Sequence, residues 1–272
     1  MTRASHPASI PVNYSLKNII ASILSDIPAA RRYSESRKRR LYRATQSSLD
    51  GHPHLRALLS PRLIRAYPFE GSRFFARVGV LPPALVIVDE RFHNLCCLPY
   101  WTVYSDGKGH AYRRFDRCPG YGRLPGCPPH ARPVGEVHAI LRRSTHFIVL
   151  QTRLLQERWQ VKWKFDVLHR LAREVEAACG PGTVTGVFGS GPCAACSPQY
   201  CRQNQLCRTP ALQTASLEAC GICVARLCDD LALLTGNRSW TLTWLRHFGL
   251  PQQQPKRWKY VEAIAISVRD AH

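Results

Sequence analysis

Residues 146–188 read HFIVLQTRLLQERWQVKWKFDVLHRLAREVEAACGPGTVTGVF, and their pattern decides the fold class. The run 146–153 is short, apolar and rich in β-branched and aromatic residues, as a buried strand should be. From 165 to 178 the apolar residues Val167, Leu168, Leu171 and Val175 fall at helical spacing, and Gly180 is a natural stop. Residues 183–188 return to strand composition. Strand, helix and strand in this order predict a layered sheet with covering helices.

Outward from this unit, strands are expected at 84–89, after the double proline Pro82–Pro83, and at 98–104. A DGKG turn at 106–109 folds the second of these onto 111–115. Helices are expected at 133–143, with Pro133 in the first turn, and at 217–234, with Ser216 as cap. Residues 259–268 close the chain as an alternating strand. The whole reads as an α+β fold with a mixed sheet and covering helices, occupying residues 81–272.

Residues 1–80 differ in composition. They contain no cysteine and carry 14 basic and 4 acidic side chains, half of the net charge of +20. Residues 15–27 place Leu16, Ile19, Ile20, Ile23, Leu24 and Ile27 on one helical face. The segment ARRYSESRKRRLYRA follows at 30–44, where like charges oppose helix formation. The expectation is a basic helical amino-terminal extension, 1–80. Such charge attracts polyanions or acidic partners. Nucleic acid is the obvious candidate, although no helix-turn-helix, zinc-finger or aromatic stacking motif accompanies the charge. An ordinary solvated helix face explains the segment more cheaply.

No export signal and no run of roughly 18 or more apolar residues are seen, so the expected compartment is the reducing cytoplasm, with no membrane span. There the chain's 12 cysteines stay free, and clustered thiols serve as ligands or redox groups. A chain of this length builds a core without disulfides.

The chemistry concentrates in GSGPCAACSPQYCRQNQLCR, residues 189–208. Cys193, Cys196, Cys201 and Cys207 lie within fifteen residues of a glycine- and proline-framed loop. Four thiolates so placed can each take one corner of a 4Fe-4S cubane, and the backbone amides of a glycine-rich turn can hydrogen-bond its sulfurs. Zinc is the rival metal, but structural zinc sites favour two close pairs, whereas one CxxC is followed here by two singly spaced thiols. Unliganded thiols are the third reading, one that exposes four thiols to oxidation.

A second constellation, RCPGYGRLPGCPPHARP at 117–133, offers Cys118 and Cys127 as neighbouring ligands or redox thiols, with His130 three residues beyond. The competing reading is a rigid turn. Cys96 and Cys97 add nearby candidates. Cys220 and Cys223 are expected to share a helix face and, with Cys228, to be buried rather than liganded. Lone histidines such as His93, His110 and His146 carry little weight. Nucleotide loops, HExxH and GxSxG are absent, so catalytic residues stay unassigned and enzymatic activity is left open.

Taken together, Cys118–Pro119–Gly120–Tyr121–Gly122, Cys127–Pro128–Pro129, Gly191–Pro192–Cys193 with Cys196, Cys207–Arg208, and Ser216–Leu217–Glu218–Ala219 resemble the family of predicted metal-binding proteins classed as domain of unknown function 2284. The resemblance covers about residues 84–268. It implies metal binding through these cysteines and supplies no substrate. The functional expectation is an iron–sulfur protein in a redox or accessory role, working with a redox protein partner. The alternatives are a zinc-stabilised nucleic-acid-binding module and a metal-dependent enzyme whose pocket includes the CPPH segment.

Overall fold

The computed structural model describes residues 16–28, 33–59, 64–69, 72–98, 100–105, 110–118, 120–124, 126–154, 158–191, 193–196, 207, 209–242 and 258–268. Its centre is a five-stranded sheet of β1 (Ile64–Phe69), β2 (Ser72–Leu81), β5 (His146–Leu154), β7 (Trp258–Ile266) and β6 (Val184–Phe188), in that spatial order. β3 (Tyr100–Ser105) and β4 (His110–Phe115) form a separate hairpin. The DGKG turn expected between them lies outside the described residues.

Helix α5 (Arg158–Cys179) joins β5 to β6, as the alternation at 146–188 predicts. These two strands do not pair with each other. β7 lies between them and runs antiparallel to both. The β1–β2 and β2–β5 pairs are also antiparallel. The sheet is therefore antiparallel throughout its pairings and not mixed as expected, because the carboxy-terminal strand inserts between β5 and β6.

The continuous apolar run of β5 reflects burial on both faces. Phe147 and Val149 enter one core with Leu81, Phe188, Val261, Ala263 and Ala265, under α4 (Val134–Arg143) and α6 (Val224–Thr235). Ile148 and Leu150 enter the other with Val78, Val80, Ile264 and Ile266, under Leu168, Leu171 and Val175 of α5. Gly79 of β2 is required by packing, because a Cβ there would stand 2.8 Å from both Leu231 Cδ2 and Trp240 Cζ2. None of the described helices is long and apolar enough to cross a membrane.

Three expectations need correction. Residues 84–89 are not a strand. A 3₁₀ turn covers Pro83–Leu85, and only Val88 makes a bridge, to Ile222. The helix expected at 217–234 is split. Glu218–Cys220 is a 3₁₀ turn, Gly221 adopts a left-handed φ of 77°, and α6 starts at Val224. A Cβ on Gly221 would lie 2.9 Å from the Asp89 carbonyl oxygen, so the close approach of residue 89 fixes the break. Cys220 and Cys223 consequently do not share a helix face.

Third, residue 80 is no packing boundary. β2 stands inside the sheet, and Leu49, Leu55 and Leu59 belong to the core beneath α5; Leu55 and Leu59 lie on α3 (Pro53–Leu59). Helix α1 (Leu16–Asp26) sets its apolar stripe, Ile19, Ile20, Ile23 and Leu24, against Phe92, Leu95 and Leu98. Within the arginine-rich segment, residues 30–32 lie outside the described residues, and Glu35 onward forms α2 (Glu35–Ser48), capped by Ser34. Repulsion along it is offset by the Arg39–Glu35 pair at 2.7 Å and by Lys38. That side chain turns inward to Asp230 of α6 at 2.6 Å, where both partners are buried.

Candidate metal centre

The segments that carry the sequence motifs meet at the end of β6. Gly189 pairs with Ser216 in a parallel bridge. Its N–H donates to the Ala215 carbonyl at 2.8 Å, and its carbonyl accepts from Leu217 N–H at 3.1 Å. The packing there is tight, since a Cβ on Gly189 would approach Thr214 Oγ1 to 3.0 Å. From the other side Gly126 leaves no room for a side chain: its Cβ would sit 2.4 Å from the Thr214 carbonyl oxygen. Both constellations are thus clamped onto Thr214–Ser216, and Gly191, with φ 73°, turns the chain toward Cys193.

Cys193, Cys196 and Cys207 line one small cavity together with Leu124, Gly126, Thr209 and Gln213. All three cysteines are half-buried. Cys193 Sγ points to the Leu212 carbonyl at 3.9 Å, and Cys196 Sγ lies 3.7 Å from Thr209 Oγ1. Cys201 lies outside the described residues. Among the described residues no three histidine, cysteine, aspartate or glutamate side chains are gathered closely enough to hold a metal ion. The donor set fits a thiolate-bound group in chemical kind, since soft sulfur ligands suit iron–sulfur clusters and zinc. The thiols would have to draw inward around it.

The second constellation adjoins the first. Cys118 N–H donates to the Cys96 carbonyl at 2.9 Å, and His130 N–H to that of Cys127 at 2.9 Å. Cys127 is buried and packs on Gly120, where a Cβ would lie 2.6 Å from its sulfur. Burial pushes the Cys127 thiol up to about 12, and the neighbouring Cys118 and Cys193 push the same way. Burial likewise raises Cys96, aided by Cys118, Glu218 and Cys127. Cys97 hydrogen-bonds Tyr121 and thereby raises its phenol. Thiols held up in this way are protonated at neutral pH, so a metal arriving there must displace protons.

The remaining cysteines are of another kind. Cys220, Cys223 and Cys228 are buried in apolar cores, as expected. Burial pushes the thiols of Cys220 and Cys223 up to about 12. His146 is also buried. Its ring nitrogens lie 2.8 Å from the hydroxyls of Ser48 and Thr145, a structural network distant in sequence from the thiol loop.

One group was missed from sequence. Lys164 of α5, 3% exposed, sends its ammonium to the carbonyl and Oγ of Ser190 (2.6 Å to Oγ) and over the Tyr260 ring at 4.3 Å. Ser190 Oγ donates at 3.4 Å to Oε1 of Glu262, 1% exposed on β7, whose Oε2 has no hydrogen-bond partner among the described residues. Burial lowers Lys164 to about 8 against the pull of Glu262 and Glu218. Burial raises Glu262 to about 7, opposed by Lys164 and Ser190. Glu218 is also raised by burial. This group holds the Ser190 end of the turn that leads into Cys193. The signal was a glutamate at an inward position of the strand YVEAIAI, 260–266, where alternation demands an apolar side chain.

No curated protein and no solved structure matches this chain. Residues 110–241 match the family described as predicted metal-binding protein (DUF2284), a span that holds both cysteine constellations and leaves out the strands β1, β2 and β7. That segment, just under half of the chain, is similar to the DUF2284 family of predicted metal-binding proteins.

Proposed function

We propose that the chain binds an iron–sulfur cluster of the 4Fe-4S type on Cys193, Cys196, Cys201 and Cys207. Cys118 and Cys127 stand beside it as further ligands or redox thiols, and the protein serves as a redox or accessory protein in the cytoplasm. The observation that carries this reading is the convergence of Cys193, Cys196 and Cys207 on one cavity, with Cys127 close enough to Cys193 for the two to interact. Bound there, the cluster supplies one-electron transfer to a partner protein.

The chain's own residues supply the frame. Gly189 and Gly126 fasten the two cysteine segments to Thr214–Ser216. Lys164 fixes Ser190, and Leu124 and Ala195 shield the cavity wall. Reduced, anaerobically purified protein tests the reading. Charge-transfer absorption in the visible that bleaches on one-electron reduction is expected. A colourless protein that holds zinc and stays colourless after reconstitution with iron and sulfide would contradict it.

A further inference from the structure

A second, larger opening lies beside the thiol cavity. It encloses about 340 Å³ and is lined by His130, Arg132, Glu136, Gln213 and Cys220, with Val187 and Ala215 as apolar wall. This volume is at the lower end of the range for small-molecule pockets, about 300–1,000 Å³. Gln213 lines both spaces, so a molecule in this cleft is separated from the thiols by one residue. His130, the last residue of the CPPH segment, is part of its lining.

Its recognition group is Arg132. The guanidinium lies over the Phe188 ring at 5.5 Å and is held by Nε, 3.2 Å from Glu136 Oε1. A guanidinium has five N–H donors in a planar fork, and the edge formed by its two terminal nitrogens matches a carboxylate. With Nε committed to Glu136 and the plane fixed on an aromatic face, that edge is oriented before any ligand arrives. Glu136 also limits the charge that can sit at Arg132, because a phosphate dianion places two charges on one group beside it, whereas succinate, itself a dianion, places a single charge on each of its two carboxylates. His130 and the Gln213 amide add hydrogen-bonding capacity, and the buried Cys220 completes the lining.

We propose that this cleft binds a small carboxylic acid through Arg132 and is the substrate pocket of the thiol centre. The assignment rests on the metal-centre reading for the second half of that statement only. Calorimetric titration of the full-length protein, with and without metal, uses succinate and inorganic phosphate as probes. Saturable succinate binding is expected in both forms. Arg132→Met should weaken it about ten-fold or more, and Glu136→Gln, which removes the negative charge beside the fork while its amide oxygen can still accept from Nε, should tighten it. If Arg132→Met does not fold, the gain in Glu136→Gln still decides the matter.

Absence of succinate binding at millimolar concentration overturns the proposal. So does equal or tighter binding of phosphate, or a Glu136→Gln variant with unchanged affinity. Succinate should also shift the visible spectrum of metal-loaded protein. Binding without that shift removes the substrate role and leaves the cleft as a carboxylate site. Binding to a protein that never takes up metal refutes the metal centre and not the cleft.

Discussion

Replacing Lys164 with methionine and Glu262 with leucine together should change how stability depends on pH. Glu262 is raised from 4.5 to about 7 by burial. Between those values the folded protein holds a proton that the unfolded chain has released, so stability falls as pH rises through the window. At about 1.4 kcal/mol per pH unit the loss comes to about 3 kcal/mol. Lys164 is lowered from 10.5 to about 8. Between about 8 and 10.5 the unfolded chain binds the extra proton, so stability rises with pH by about 3 kcal/mol. The pair therefore produces a minimum between about 7 and 8, where both groups are charged and neither is fully compensated. Urea unfolding of wild type and double variant across this pH range gives the difference curve, in which the titrations of groups that do not face the pair cancel. The stability of the double variant relative to wild type should peak near pH 7–8, about 3 kcal/mol above its value at either end. A flat difference curve would refute the buried, charged state of this pair.

Three further outcomes are expected. Cys193→Ala and Cys196→Ala should lose bound metal while Cys228→Ala, altered deep in the core beneath α6, keeps it; metal analysis of the three variants decides between loop ligation and burial. Gly79→Ala should cost about 1–3 kcal/mol in urea unfolding, because the new methyl overpacks against Leu231 and Trp240. Lys38→Met should cost about 2–3 kcal/mol, less than the about 3–5 typical of a broken buried pair, since Arg226 still faces Asp230 at 3.2 Å; no loss of stability would show that α2 is not anchored there.

Much of the fold was legible in the sequence because it is written in local pattern. The run 146–154, the spacing of Val167, Leu168, Leu171 and Val175, and the alternation of 260–266 each specify an element without reference to anything distant. What was misread depends on partners far along the chain. Residues 84–89 have strand composition, yet they lie against Gly221–Cys223 by isolated contacts. The helix expected at 217–234 is interrupted at Gly221 by the approach of Asp89, a residue more than a hundred positions away. The antiparallel sheet required knowing that β7 inserts between β5 and β6, and no periodicity records that. The inward turn of Lys38 was hidden among arginines that do face solvent.

The candidate site divides in the same way. The thiol loop announces itself by residue type and spacing, and the burial of Cys220, Cys223 and Cys228 follows from their apolar surroundings. That Cys127 comes to lie beside Cys193 is a tertiary fact, set by Gly126 and Gly189 both closing on Thr214. The Lys164–Ser190–Glu262 group joins three segments, and only the glutamate in an apolar strand hinted at it.

Iron, acid-labile sulfide and zinc, quantified per chain in anaerobically isolated protein and again after reconstitution, identify what the thiol loop binds. About four irons and about four sulfides per chain are expected, as one 4Fe-4S cubane requires, with zinc far below stoichiometry. One zinc per chain, with neither iron nor sulfide taken up on reconstitution, would contradict it.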